Sequence, residues 1–283
     1  MNTVATFAGL TLLEAARRRV LWALIGLAAV VVGLSSWGFA RLPGLRADGS
    51  SLSTGQAHLA AVELLSFIVF TLSFVGALGL SFVASPTLAG ELESGTALSM
   101  LARPVRRWQV LGGKWVGLSL LAAGYVVVVG GAEIVAVEVG TGYRVPDPAA
   151  ALALLAAQAV CLLSLALLLS TVLSALAAGV VTVGIFGLAW VAGLVGDIGV
   201  AVHNTAVARV GAVGHIIVPT DGLWRGVMHA LDSTSILHGF SDEVAGNPFM
   251  QPTGLRWSYL VWVALWIAGV LAVANVRFGR AEP

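Results

Sequence analysis

Between Gly90 and Lys114 the chain places Glu91 and Glu93 ahead of Arg103, Arg106, Arg107 and Lys114. Such a set can accept and donate charge-assisted hydrogen bonds. It lies between two apolar runs long enough to cross a bilayer, where an ionised side chain is costly, so the stretch must stand in water or dock on a partner. It is not a phosphate-binding loop. Trp115 follows Gly113-Lys114 where Ser or Thr is needed, and Gln109 rather than glycine stands nearby. An ATPase site is therefore not expected in this chain. His203, His215, His229 and His238 share one connection with Met228, at spacings that fit no established metal motif, so they read as polar surface groups and no metal is expected. Glu63, Glu133 and Glu138 fall near the ends of apolar runs and are expected to be hydrated. An intramembrane protease would need a serine–histidine or aspartate pair inside the runs, and no aspartate or histidine lies well within one. The single Cys161 excludes an intramolecular disulfide and reads as a small buried hydrophobe.

These groups must be positioned by membrane helices. Of the 283 residues 58% are hydrophobic and 10% charged, against about 25% charged in soluble domains. A net charge of +1 argues against nucleic acid as a partner. A span needs about 20 mostly apolar residues, and six stretches qualify, at about 20–40, 61–84, 111–137, 149–169, 176–195 and 257–276. The fourth and fifth are divided at Ser170-Thr171-Val172-Leu173-Ser174, because a single helix would be far too long for a bilayer. Arg17, Arg18 and Arg19 precede the first run too late for a signal peptide, so that run is expected to be a first transmembrane helix. The runs are long and do not alternate, which disfavours a barrel. The expected fold is an all-α membrane protein of six transmembrane helices.

With both termini on one side, the short segments of that side hold Arg17–Arg19, then Arg103, Arg106, Arg107 and Lys114, then Arg277 and Arg280. Positive-inside bias makes that side the cytoplasm. Residues before Arg19 are expected to form an interfacial helix whose arginines meet anionic headgroups. The long outer loop at 196–256 contains two apolar stretches too short to cross, separated by Pro219 and expected as interfacial or re-entrant helices, with Thr220 or Asp221 as a cap. In the segment 85–104, Ser85-Pro86 reads as a helix start, Ser94-Gly95 as an interruption and Arg103-Pro104 as a stop, with a new helix from about Val105.

The run Gly90-Glu91-Leu92-Glu93-Ser94-Gly95-Thr96, followed by Leu101-Ala102-Arg103-Pro104-Val105-Arg106-Arg107 and Leu111-Gly112-Gly113-Lys114, resembles the signature of ABC-2-type exporter permeases. The layout of spans resembles that family over essentially the whole chain. Pro219-Thr220-Asp221-Gly222-Leu223-Trp224-Arg225 resembles the branch containing the membrane subunit of the nitrous-oxide-reductase maturation transporter. The resemblance implies a permease of the cytoplasmic (inner) membrane that binds no cofactor itself. It would dimerise and pair with two copies of an ABC ATPase that holds ATP and magnesium. It also implies a cytoplasmic coupling helix between spans 2 and 3, with Glu91, Glu93, Ser94, Gly95, Thr96, Arg103, Pro104, Arg106 and Arg107 at the ATPase. The alternative is a mechanotransmitter that drives a periplasmic partner while nothing crosses. The short loop after the fourth span carries no charge, so any second ATPase contact through Ser170, Ser174 and Ala175 should be small.

Overall fold

In the computed structural model, residues 3–44, 46–47, 50–51, 54–93, 106–231 and 254–280 are described. The first helix, α1 (Thr3–Ala16), meets α2 (Arg19–Arg41) at a break on Arg17 and Arg18. A single 3-10 turn, Leu42–Gly44, and a two-residue antiparallel pair, β1 (Arg46–Ala47) with β2 (Ser50–Ser51), lead towards α3 (Thr54–Glu93). Then come α4 (Arg107–Thr141), α5 (Pro148–Leu169), α6 (Ala175–Ala201), α7 (Thr205–Ile217), α8 (Thr220–Leu231) and α9 (Trp257–Arg280). Six of these helices are long and apolar enough to cross a membrane: α2, α3, α4, α5, α6 and α9.

Local chemistry sets the turns. Gly142 takes a left-handed φ of 74° and its N–H donates to the Glu138 carbonyl at 2.9 Å, which closes α4 where a residue with a side chain would be strained. Asp147 then caps α5, accepting from the Ala150 N–H at 3.0 Å with Pro148 in the first turn. At the other end of α5, the Ser170 and Thr171 hydroxyls donate to the Leu167 and Leu168 carbonyls, and α6 begins after Ser174. Asn204 caps α7, accepting from the Ala206 and Val207 N–H groups.

Several boundaries differ from the sequence reading: the fifth span runs on to Ala201, so the outer connection does not start at 196, and the helix holding the second span covers Thr54–Glu93 rather than 61–84. Ser85-Pro86 does not start a helix, because α3 runs through it to Glu93. Ser85 is fully buried and its hydroxyl donates back to the Ser81 carbonyl at 2.7 Å, as Thr87 does to Val83 at 2.9 Å. Neither hydroxyl is spent as a cap. Proline removes one N–H from the ladder, and burial of Val83, Ala84, Leu88 and Ala89 around it holds the helix on course. At about 60 Å for 40 residues, α3 is far longer than the hydrocarbon layer.

The main core lies where α2, α3, α4, α5 and α8 meet, around Phe39, Leu65, Val137, Ala151 and Val227. A second lies where α1, α3, α4 and α5 meet, around Ala15, Val83, Leu118 and Leu163. The bundle thus has two ends. The base holds α1, the close of α3, the start of α4 and the close of α9. The crown holds the close of α4, the start of α5, and α7 with α8.

Candidate functional site

At the base the first two turns of α4 meet four other helices. Arg106 precedes them, exposed, its N–H donating to Gln109 Oε1 at 3.3 Å. Arg107 Nη1 donates to the Phe278 and Gly279 carbonyls of α9 at 2.8 and 2.9 Å. Leu111 packs with Leu88 of α3 and with Ala274 and Phe278 of α9. Lys114 is 3% exposed and donates from Nζ to the Thr87 carbonyl of α3 at 2.5 Å. Trp115 Nε1 donates to Ser164 Oγ of α5 at 2.9 Å.

The glycine before Lys114 has a distinct task. A Cβ on Gly113 would stand 2.5 Å from Phe7 Cβ, and one on Gly117 would stand 2.6 Å from the Ala8 carbonyl. Those two positions let α1 lie against α4 through its small residues Ala8, Thr11 and Ala15, which are buried on one face. Leu10 and Leu13, on the other side of α1, are exposed. Of the arginines that follow, Arg17 and Arg19 are exposed and Arg18 pairs with Glu14. Trp22 Nε1 donates to the Ala16 carbonyl at 3.0 Å and fixes the bend between α1 and α2.

Several predicted coupling residues lie beyond this description. Glu91 and Glu93 belong to the last turn of α3 by backbone only, and Ser94, Gly95, Thr96, Arg103 and Pro104 fall outside the described residues. What the structure brings to the base with their two ends is Arg106, Arg107 and Lys114. Arg107 reaches the last turn of α9.

A covering profile decides the family. The chain matches the ABC-2 family transporter protein profile over residues 10–282. It belongs to that family. A search of curated proteins finds no match. As an ABC-2 permease subunit, the chain works beside an ABC ATPase subunit in a lipid bilayer.

In this permease the crown carries a second polar cluster. Arg225 of α8 donates to both carboxylate oxygens of Asp197 on α6, at 2.7 and 2.8 Å, to Asp221 Oδ2 at 3.0 Å and to the Gly193 carbonyl at 3.1 Å. His215 Nε2 lies 2.6 Å from the same Asp221 oxygen. Burial alone would lower the pKa of Arg225, but Asp197 and Asp221 outweigh it and hold the guanidinium above its ordinary value. Tyr259 of α9 donates to the carbonyls of His215 and Pro219 at 3.1 and 3.2 Å, and Trp266 Nε1 to Ile217 at 2.8 Å. Gln158 of α5 also reaches the crown, where its Nε2 donates to the Thr220 carbonyl at 3.2 Å.

The predicted Pro219, Thr220 and Asp221 therefore sit at a junction of α6, α7, α8 and α9. Thr220 is 1% and Asp221 5% exposed. Asp221 is not a cap, because its carboxylate is committed to Arg225 and His215. Sequence reasoning missed Arg225 as its partner, although Asp221 and Arg225 stand at the i, i+4 spacing of helical ion pairs.

Two carboxylates near the ends of spans behave differently from each other. Glu138 is exposed and pairs with Arg144 at 3.0 Å. Glu133, expected to be hydrated, is fully buried, and Ser35 Oγ of α2 donates to its Oε2 at 2.6 Å. The reason is its place on α4: it lies on the face that α2 covers, so nearness to the end of a span does not bring it to water.

Proposed function

We propose that this permease, as two copies with two ATPase subunits, couples their ATP hydrolysis to export of a substrate across the cytoplasmic membrane. The ATPase seats on the connector that leaves α3 at Glu93 and enters α4 at Arg107, with Glu91, Glu93 and Arg106 as its charged contacts. One observation carries this reading. The connector ends on the part of α4 that α1, α3, α5 and α9 all meet, so a push delivered there reaches most of the bundle. Arg17, Arg18 and Arg19 hold the same end at anionic headgroups, with Leu10 and Leu13 of α1 turned to the acyl boundary. At the crown, α7 and α8 re-enter the outer leaflet.

Co-purification with the ATPase tests the seat. Glu91→Arg combined with Glu93→Arg reverses two charges and should abolish binding, whereas undiminished binding would remove the connector from the interface. Reconstituted vesicles test export. Accumulation of a candidate amphiphile that requires ATP supports it, and ATP-driven change at the crown with no solute crossing would replace it by mechanical drive of a periplasmic partner.

A further inference from the structure

Arg107, Leu111 and Lys114 recur at i, i+4 and i+7, the spacing that aligns side chains along one face over two helical turns. Both cations on this face donate to carbonyls of other helices. Arg107 holds two carbonyls in the last turn of α9, where a helix has unpaired acceptors and excess negative partial charge. Lys114 holds the Thr87 carbonyl within the last two turns of α3. Leu111 fills the space between them. Apolar packing by itself has no direction and allows neighbouring helices to slide. Directed bonds from a planar guanidinium and a buried ammonium fix their register.

We propose that this face is a transmission clamp: motion imposed on the start of α4 passes through Arg107 to the last span and through Lys114 to the second. Arg107 is then a positioning residue and not an ATPase contact. The proposal rests on the connector being the ATPase seat. Arg107 is held at the end of α9 through Nη1, which the Phe278 and Gly279 carbonyls share. For Lys114 the obstacle to reaching a partner is burial, since an ammonium 3% exposed has no route to a docking surface.

The test uses the permease–ATPase complex in nanodiscs. Cys161 is the sole native thiol and is buried, so single reporters can be placed at Trp108→Cys on α4 and Arg277→Cys on α9, both exposed positions. With an environment-sensitive fluorophore, ATP and vanadate trapping should shift both reporters in the otherwise native chain. In Arg107→Ala the ATPase should still co-purify and the position 108 reporter should still respond. The position 277 response should fall by at least about fivefold, the lower end of couplings between linked sites. Arg107→Lys, which restores a cationic donor, should recover part of it.

An undiminished 277 response in Arg107→Ala overturns the clamp. So does loss of ATPase binding by Arg107→Ala when its thermal stability is unchanged, because that is the signature of a contact. If Arg107→Ala does not fold, Arg107→Gln takes its place with the same expected split and the same overturning results. A silent 108 reporter in the otherwise native complex refutes the seat itself, and the clamp with it.

Discussion

Arg225 is the side chain on which the crown turns. Four of its N–H donors meet two carboxylates and a carbonyl from α6 and α8, with 19% of the side chain exposed. Removing one partner of a fully buried ion pair costs about 3–5 kcal/mol, and this cluster, with Arg225 and Asp197 partly exposed and Asp221 also facing His215, should lose part of that. Arg225→Ala should therefore lower the thermal stability of the detergent-solubilised permease well beyond a surface change such as Arg209→Ala. Equal melting of the two variants would show that the pairs contribute nothing. The sign of the pH dependence follows from the raised pKa of Arg225. A base held above its ordinary value gives stability that is complete at lower pH and lost only as pH rises through the folded value. For a guanidinium that window is strongly alkaline, so this contribution should be flat from neutral pH into moderate alkali, measured as the difference in melting between the native chain and Arg225→Ala.

Among the elements, α1 and α7 owe their placement to glycines on the helices they lie against. A Cβ on Gly196 of α6 would stand 2.7 Å from Gly211 Cα, so α7 doubles back along α6 with backbone against backbone. At the base, Gly113 and Gly117 do the same for α1. Gly113→Val should push α1 away and speed tryptic cleavage at Arg17, Arg18 and Arg19. Gly112 is the control, since a Cβ there meets nothing within 4 Å and alanine favours a helix over glycine by about 1 kcal/mol. Gly112→Ala should leave the cleavage rate unchanged, and equal acceleration by both would contradict this packing. The same contrast explains what could be read from the sequence. The long spans follow from length and apolarity, and the turn at Ser170–Ser174 from its polar residues and the limit on span length. The path of α3 through Pro86 could not be read locally, because tertiary burial decides it. Nor could the burial of Glu133, since a residue's distance from the end of a span does not say which neighbour covers its face. At the connector, the basic residues were visible as a group. That Arg107 caps the end of α9 while Lys114 reaches the Thr87 carbonyl of α3 required knowing which helices lie beside the start of α4.

On the scale of the whole molecule, the fold sorts charge by end. The base gathers Arg17, Arg18, Arg19, Arg106, Arg107, Lys114 and Arg277, with Glu14 paired to Arg18. The crown's Arg225 is matched by Asp197 and Asp221, and its Arg144 by Glu138. Lys and Arg near the ends of spans set orientation, while Asp and Glu contribute little. The base should thus face the cytoplasm, although the crown has further arginines in Arg41, Arg46, Arg209 and Arg256. Arg209 and Arg256 fall on or beside the long connection between α6 and α9, and charges in long connections weigh less than those in short ones. Impermeant maleimide labelling of intact cells checks the orientation without background, because Cys161 is buried. Arg144→Cys replaces a side chain 86% exposed at the crown and should react from outside. Arg106→Cys, exposed at the base, should react only after the membrane is opened. The reverse pattern would invert the permease in the membrane and place the connector between α3 and α4 on the side away from cytoplasmic ATP, which would end its role as the ATPase seat.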